Sequence, residues 1–408
     1  MGEIKQGYKQ TEFGLIPEDW KLCTFKDVLS TFSSGATPYR GIPEYYKGEI
    51  RWISSGELNY DTINETIEHI SELAVKNTNL KTHSPGTFLM AVTGLEAEGT
   101  RGRCAIVGLP STTNQSCLAI NSTVRMTTEY LFWFYRQWSE YLAFKYCQGT
   151  KQQSYTAALV KELPICCPKE TTEQSAIATA LSDVDALIAA LEKKITKKQQ
   201  IKQGAMQQLL TGNKRLAGFS GEWVETRLGS GLKFQTGNPF SSIFFNKDNF
   251  GVRLIKNRDL KSDDQVVFYS GLYTNDFIVN NGDVLIGMDG DFLPCIWEKG
   301  MALLNQRVGR ILITSDWNAI FLYYYLYNPL KEKQEGTGAT TVKHLSHKDI
   351  ENMELPLPPT EVEQTAIAQI LTDMDDEIGQ LKADRNKYEQ IKAGMMQQLL
   401  TGKIRLFY

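Results

Sequence analysis

Few residues in this 408-residue chain are spaced for covalent chemistry. Gly94-Leu-Glu-Ala-Glu-Gly99-Thr100 has the glycine spacing of a phosphate loop, but arginine follows and the lysine that would reach the phosphates is missing. No GxGxxG opens a helix after a strand, and Asn328-Pro329-Leu330 is not the Asn-Pro-Pro-aromatic tetrapeptide of adenine methyltransferases. His344-x-x-His347 could chelate a metal, yet no cysteine or carboxylate stands at ligand spacing beside it, so a solvated loop is the better reading. Asp183/Asp185 and Asp373/Asp375 recur as carboxylate pairs on helix-forming sequence, where they suit ion pairs or partner contacts better than catalysis. The seven cysteines are scattered and form no CxxC, which reads as free thiols in a reducing cytoplasm, with Cys166-Cys167 as small core residues. The expectation is a chain with no catalytic engine, no metal and no cofactor of its own.

The elements that would position any function are announced by a repeat. Glu173–Leu216 and Glu363–Leu406 align without a gap at an offset of 190, and more than half of the aligned positions are identical. Two copies of one architectural unit, spaced by a domain's worth of chain, predict a pseudo-twofold molecule that binds two of something or something with two halves. Ile177, Leu181, Val184, Ile188, Leu191 and Ile195 step by four and three, as do Ile367, Leu371, Met374, Ile378 and Leu381. That is a heptad seam on a helix of about 40 residues, about 60 Å long, which needs a partner; its twin is the nearest one. The seams later carry Lys198 and Lys202, or Arg385 and Lys392. Thr171-x-x-Gln174 and Thr360-x-x-Glu363 fit capping boxes, and Gly212 and Gly402 fit left-handed C-caps. Gly204 and Gly394 sit at equivalent mid-helix places, which suggests close helix contact, a bend, or simple inheritance from the duplication.

Ahead of each helix lies a globular segment with short β-type runs: Phe88–Val92, Cys104–Val107 and Val124–Met126 in the first, Val284–Ile286 and Arg310–Ile313 in the second. Each also carries an aromatic helix, Tyr130–Tyr146 and Asn318–Tyr327, whose spacing marks core rather than a stacking surface. The segments are faint copies of one another. Ser34-Gly35 answers Thr236-Gly237, Trp52–Leu58 answers Leu254–Leu260, and Asn114-Gln115 answers Asn305-Gln306. The boundaries read as a domain over 1–168, a helix over 169–212, a second domain over 213–357 and a second helix over 358–408. Helices that stay alike face equivalent surroundings; domains that drift apart meet different ones.

Composition is that of a globular protein, with a formal charge of −3, which by itself does not favour nucleic acid. No run of about 18 apolar residues predicts a membrane span, and the N-terminus has no apolar signal region.

Two divergent domains alternating with two similar helices, each helix preceded by a Leu-Pro segment and Glu-Gln and ending near Gln-Gln-Leu-Leu-Thr-Gly, with Thr11-Glu-Phe-Gly-Leu-Ile-Pro-Glu-Asp-Trp20 at the start, make a pattern that resembles the specificity subunit of type I restriction–modification systems. The resemblance covers essentially the whole chain. It implies an α+β fold of two target recognition domains, each reading one half of a split, asymmetric sequence in double-stranded DNA. The long helices would pair antiparallel, set the spacing of the half-sites and dock two methyltransferase subunits. Those subunits would bind S-adenosylmethionine and methylate adenine; restriction subunits would bring the ATP- and Mg-dependent motor and nuclease.

Base reading in the major groove needs side chains that make paired hydrogen bonds, so polar loop residues are the candidates. In the first domain these are Thr37, Tyr39, Arg40, Ser54, Ser55, Arg101, Arg103, Lys151, Gln152, Gln153, Ser154 and Tyr155. In the second they are Asn238, Lys256, Asn257, Arg258, Arg307, Thr337, Thr340, Thr341 and Lys343. The alternatives are solvated loop polarity at each position and, for the whole chain, a coiled-coil protein-interaction scaffold or an enzyme with an unrecognised site. Specific, salt-sensitive duplex binding separates the first reading from the scaffold; activity of the isolated chain separates it from the enzyme.

Overall fold

The computed structural model describes residues 6–95, 101–147, 153–336 and 344–406. It divides into two compact units, Met1–Glu192 with Ala383–Tyr408, and Lys193–Lys382. The two long helices, Thr171–Leu209 and Glu361–Leu399, are each 39 residues. Both unit boundaries fall inside them, so each unit holds a globular part, the opening half of one helix and the closing half of the other.

In the first unit a five-stranded sheet is ordered Leu29–Ser34, Cys117–Ser122, Phe88–Ala91, Cys104–Val107, Thr62–Ile63. A three-stranded sheet is ordered Ser111–Thr113, Ile50–Ile53, His69–Ile70, and a ribbon pairs Lys21–Thr24 with Pro164–Cys167. The second unit repeats the plan. Its four-stranded sheet is ordered Leu232–Thr236, Val308–Ile313, Val284–Gly287, Pro294–Ile296, and its ribbon pairs Val224–Arg227 with Glu354–Leu357. Its five-stranded sheet is ordered Phe245–Asn246, Val267–Tyr269, Val252–Ile255, Ala302–Leu304, Ile278–Val279. The β-type run Val124–Met126 is not a strand: Val124 is solvent-exposed in a turn, and the paired strand is Cys117–Ser122.

The aromatic helices are core. Thr128–Tyr146 buries Tyr130, Leu131, Phe132, Trp133, Phe134, Tyr135 and Leu142. Its counterpart breaks into Ala319–Tyr325 and Tyr327–Gly336, with Pro329 in the first turn of the second piece, where its missing N–H costs no helical bond. Cys166 and Cys167 are buried in the first core, and all seven cysteines are free.

Within each unit the helix halves run antiparallel. In the first unit Ile177, Ala178 and Leu181 share a core with Met396, Leu399 and Leu400, and Lys392 and Arg136 both reach Asp185. In the second, Leu209 and Leu210 share a core with Ile367, Ala368 and Leu371. Lys198 pairs with Glu377 at 2.7 Å and Lys202 with Asp375 at 2.5 Å. The polar seam residues thus meet carboxylates: Asp185–Lys392 and Asp375–Lys202 are the same contact at the repeat offset. Burial raises the Asp185 carboxyl, but hydrogen bonds and charge from Lys392 and Arg136 outweigh it and hold it below the usual range.

The repeated Glu-Gln has a structural account. Gln174 is fully buried; its amide donates to the carbonyls of Arg125 and Pro168, and its oxygen accepts from the Thr127 N–H that begins the aromatic helix. Gln364 does the same with Asn318 and Pro358. Glu173 and Glu363 receive Arg405 and Arg215. These side chains are therefore not the reciprocal arms of capping boxes; of the two boxes, what forms is the bond from the Glu363 N–H to Thr360 Oγ1. Gly212 and Gly402 do adopt positive φ, 71° and 66°, and a Cβ there would press on Trp223 or on Pro17 and Trp20. Gly204 and Gly394 have open space where a Cβ would stand, so close helix contact inside either unit does not require them.

Among the described residues one helix, Thr171–Leu209, is long and apolar enough by composition to cross a membrane. Ile177, Ala178 and Leu181 of that stretch pack in the first core, and it carries Asp183 and the twice-paired Asp185.

Candidate nucleic-acid interface

Both units present the same hydrogen-bonded frame. Ser111–Thr113 runs parallel to Ile50–Ile53, and Ala302–Leu304 runs parallel to Val252–Ile255. A parallel pair brings both strand ends out at one edge of the sheet. Next to that edge the chain passes so close that a Cβ on Gly35 would lie 1.9 Å from the Thr113 carbonyl oxygen, and one on Gly237 2.3 Å from that of Asn305. Only glycine fits there, which explains the Ser/Thr-Gly of both copies.

The central strand of each pair ends in one 3₁₀ turn, Ser55–Glu57 or Asn257–Leu260. An acidic residue closes it. Glu57 accepts from the Ser54 N–H at 2.8 Å and Ser54 Oγ at 2.7 Å, and from the Ile67 N–H at 2.8 Å. Asp259, fully buried, accepts from the Lys256 N–H at 2.7 Å. Burial pushes the Asp259 carboxyl up, against that hydrogen bond and the charges of Arg253, Arg258 and Lys256. A third strand, Phe88–Ala91 or Val284–Gly287, completes the frame. Val92 N–H donates to Ser116 O and Val92 O accepts from Tyr155 N–H; Met288 makes the equivalent bonds with Arg307 and Leu345. One residue further, Thr93 bridges Ser154 and Asp289 bridges His344.

Most of the candidate residues lie on this frame. In the first unit Thr37 bonds Gln115, Ser54 is held by Glu57, Ser55 is on the turn, and Arg103 Nη1 donates to Gly56 O at 3.4 Å. Arg101 Nε donates to Leu95 O at 2.8 Å, Gln153 O accepts from the Leu95 N–H, and Ser154 is on the bridge. Tyr39 is exposed. Two candidates are otherwise engaged. Arg40 is locked in a two-pronged pair with Glu68, 2.7 Å at each prong, with its guanidinium 4.7 Å from the Tyr46 ring centre. Tyr155 is buried in the first core, so its ring is held inside rather than offered to a ligand. Lys151 and Gln152 lie outside the described residues.

In the second unit Asn238 is bridged to Asn305, and Asn257 Nδ2 donates to Asp289 O at 2.5 Å. Lys256 places Nζ 5.1 Å from the Phe245 ring centre, and burial lowers its pKa. Arg258 is half-exposed on the turn, with Nη2 3.3 Å from Gln265 O and Nε 3.7 Å from Asp259. Arg307 pairs with Asp289 at 3.0 Å, and so does His344 Nδ1 at 2.8 Å. His344 thus has Asp289 as a carboxylate partner; among the described residues no group of three or more His, Cys, Asp or Glu is placed to hold a metal. Thr337, Thr340, Thr341 and Lys343 lie outside the described residues. Sequence reasoning missed Ser116 and Asp289. The Asn-Gln repeat was a signal for the first, because it immediately precedes Ser116 and Arg307; nothing in the sequence marks Asp289.

The family model for the type I restriction modification DNA specificity domain matches residues 17–203 and 221–393. The chain is 28% identical to a putative type I restriction enzyme MjaX specificity subunit of Methanocaldococcus jannaschii, over 98% of this chain and 97% of that protein. It is 34% identical to the EcoBI specificity subunit of Escherichia coli over 45% of this chain and 38% of that one. Among solved structures, the S subunit of a type I system from M. genitalium aligns with TM-score 0.63 at 15% identity, covering 93% of this chain and 96% of that chain. At that identity the likeness is one of fold. With both of its globular parts and both helices matched, this chain belongs to the type I restriction–modification DNA specificity family.

Proposed function

We propose that each globular part reads one half of a bipartite DNA target, and that the helix pair sets the half-site spacing and docks two copies of a methyltransferase. The observation that carries this is the frame: one set of backbone hydrogen bonds in both units, dressed with different side chains. Ser55 and Gly56 stand where Asn257 and Arg258 do, and Thr93, Ser116 and Ser154 stand where Asp289, Arg307 and His344 do. A fixed scaffold with variable hydrogen-bonding groups is what reading two unlike half-sites requires.

Docking of two like partners is supported by two like clefts. One, ≈ 770 Å³, is lined in the first unit by Asp185, Ile188, Glu192, Glu389 and Lys392 among others. The other, ≈ 430 Å³, is lined in the second by their repeat equivalents Asp375, Ile378, Lys382, Gln199 and Lys202. On this reading the chain is non-catalytic and works in the cytoplasm. S-adenosylmethionine sits on the methyltransferase subunits, ATP and Mg on the restriction subunits, and the near-neutral charge of this chain reflects phosphate contacts shared with those partners.

The test is expression with the partner methyltransferase, mapping of methylated adenines, and duplex binding across salt concentrations. One split, asymmetric motif and a salt-dependent preference for it are expected. Methylation without a motif, or protein capture without duplex binding, would favour the scaffold instead.

A further inference from the structure

Two candidate readers of the second unit, Asn257 and Arg307, converge with His344 on a residue that sequence reasoning passed over. Asp289 Oδ2 lies 3.0 Å from Arg307 Nη1, its Oδ1 lies 2.8 Å from His344 Nδ1, and its backbone carbonyl accepts from Asn257 Nδ2 at 2.5 Å. Arg307 and His344 are each half-exposed, while Asp289 is less so. The three partners come from separate parts of the chain: the turn after Val252–Ile255, the loop before Val308–Ile313 and the segment before the helix His347–Glu351.

From this convergence we infer that Asp289 is a positioning residue that sets the base preference of the second half-site; the inference rests on the DNA-reading function proposed above. An unrestrained arginine or histidine must lose its rotamer freedom on binding, which weakens both affinity and discrimination. A carboxylate shared between the two removes that freedom beforehand. Held through one nitrogen, the Arg307 guanidinium keeps further N–H donors for a base edge. With Nδ1 donating to Asp289, the His344 ring keeps Nε2 for a second polar contact. In the first unit the same frame positions hold Thr93, Ser116 and Ser154, which carry no charge, so the device belongs to one half-site. An exposed pair of this kind adds little to folding stability, which separates a positioning role from a structural one.

The experiment uses the full chain assembled with its methyltransferase and the duplex identified by methylation mapping, with single-base changes in each half. Asp289→Ala should reduce discrimination at second-half positions by about tenfold, within the range expected for one good side-chain–base pairing. First-half discrimination and the unfolding midpoint should stay unchanged. Asp289→Asn, which keeps the shape without the charge, should fall between and carries the test should the alanine variant fold poorly. Asp289→Ala added to Arg307→Ala should cost less than the sum of the two single losses, because only the effect passing through His344 remains to be lost. Full additivity, an equal loss on every duplex, unchanged second-half discrimination, or an Arg307→Ala variant that discriminates as well as the unaltered complex would each overturn the inference. An unaltered complex with no sequence preference would instead overturn the DNA-reading function beneath it.

Discussion

Arg405 and Glu173 stand 232 residues apart in the chain and are joined by two hydrogen bonds, 2.5 Å from Nε and 2.8 Å from Nη2. Glu173 is nearly fully buried at the start of its helix, and Arg405 also reaches Asp19 at 3.0 and 2.9 Å. Arg215 and Glu363 repeat the contact at 2.5 and 2.6 Å, with Glu363 buried too. The turn after each helix thus clamps the beginning of the other.

Removing either arginine leaves a buried carboxylate without its cation. Arg405→Ala is expected to destabilise the first unit by about 3 kcal/mol, and Arg215→Ala the second by a similar amount. Lysine should recover only part, because an ammonium cannot make the two-pronged contact. Urea unfolding of each variant measures this. A loss below about 1 kcal/mol would place these pairs with ordinary surface ion pairs.

The mid-helix glycines give a prediction with two readouts. Open space surrounds the Cβ position of Gly204 and of Gly394, so nothing in the fold opposes alanine. Gly204→Ala and Gly394→Ala should each stabilise the isolated chain by about 0.5–1 kcal/mol. If those surfaces receive the methyltransferase, the same changes should weaken assembly, measured by titrating the partner. Stabilisation with unchanged assembly would leave the glycines as inheritance from the duplication.

Acid should loosen the segment around Asp349. Burial raises its carboxyl, but hydrogen bonds from Lys333 and Ser346 and the charge of Lys333 prevail and hold it at about 2. A folded pKa below the unfolded value of about 3.9 contributes stability that is present above that value and lost as pH falls through about 2. Asp349→Asn should remove this part of the acid sensitivity between about pH 4 and 2 and lower stability at neutral pH. Unfolding midpoints measured across that window for both proteins check it.

The helices and their C-terminal stops were legible because they obey local rules: Ile177, Leu181 and Ile188 fall on one face by spacing alone, and Gly212 and Gly402 stop the helix by backbone freedom. The break between Tyr325 and Tyr327 was less so, since Pro329 can either end a helix or begin one. Gln174 and Glu363 fit capping boxes by spacing, but their side chains serve elsewhere, because their partners, the Arg125–Thr127 segment and Arg215, are distant in sequence. The frame escaped for the same reason. Its parallel strands pair residues such as Trp52 with Thr112, and Asp289 meets His344 only after the fold is closed. Tyr155 follows a polar run, yet the Val92 carbonyl draws its backbone into the first core.

The same limit separates two arginines that look alike in the sequence. Arg40 has both prongs of its guanidinium on Glu68 and stacks over Tyr46, and that pairing depresses the Glu68 carboxyl. To meet a guanine it would first have to abandon this pair. Arg258 stands half-exposed on the turn closed by Asp259, with two long contacts, 3.3 Å to the Gln265 carbonyl and 3.7 Å to Asp259. Arg258→Ala is therefore expected to weaken target binding by about 1–3 kcal/mol, with the loss confined to second-half positions. Arg40→Ala should leave first-half discrimination intact and cost no more than the about 1 kcal/mol of an exposed pair in stability. Binding of single-base variants of the mapped duplex decides both. An equal loss on unrelated DNA would make Arg258 a phosphate contact, and a first-half effect of Arg40→Ala would mean that DNA displaces Glu68 on binding.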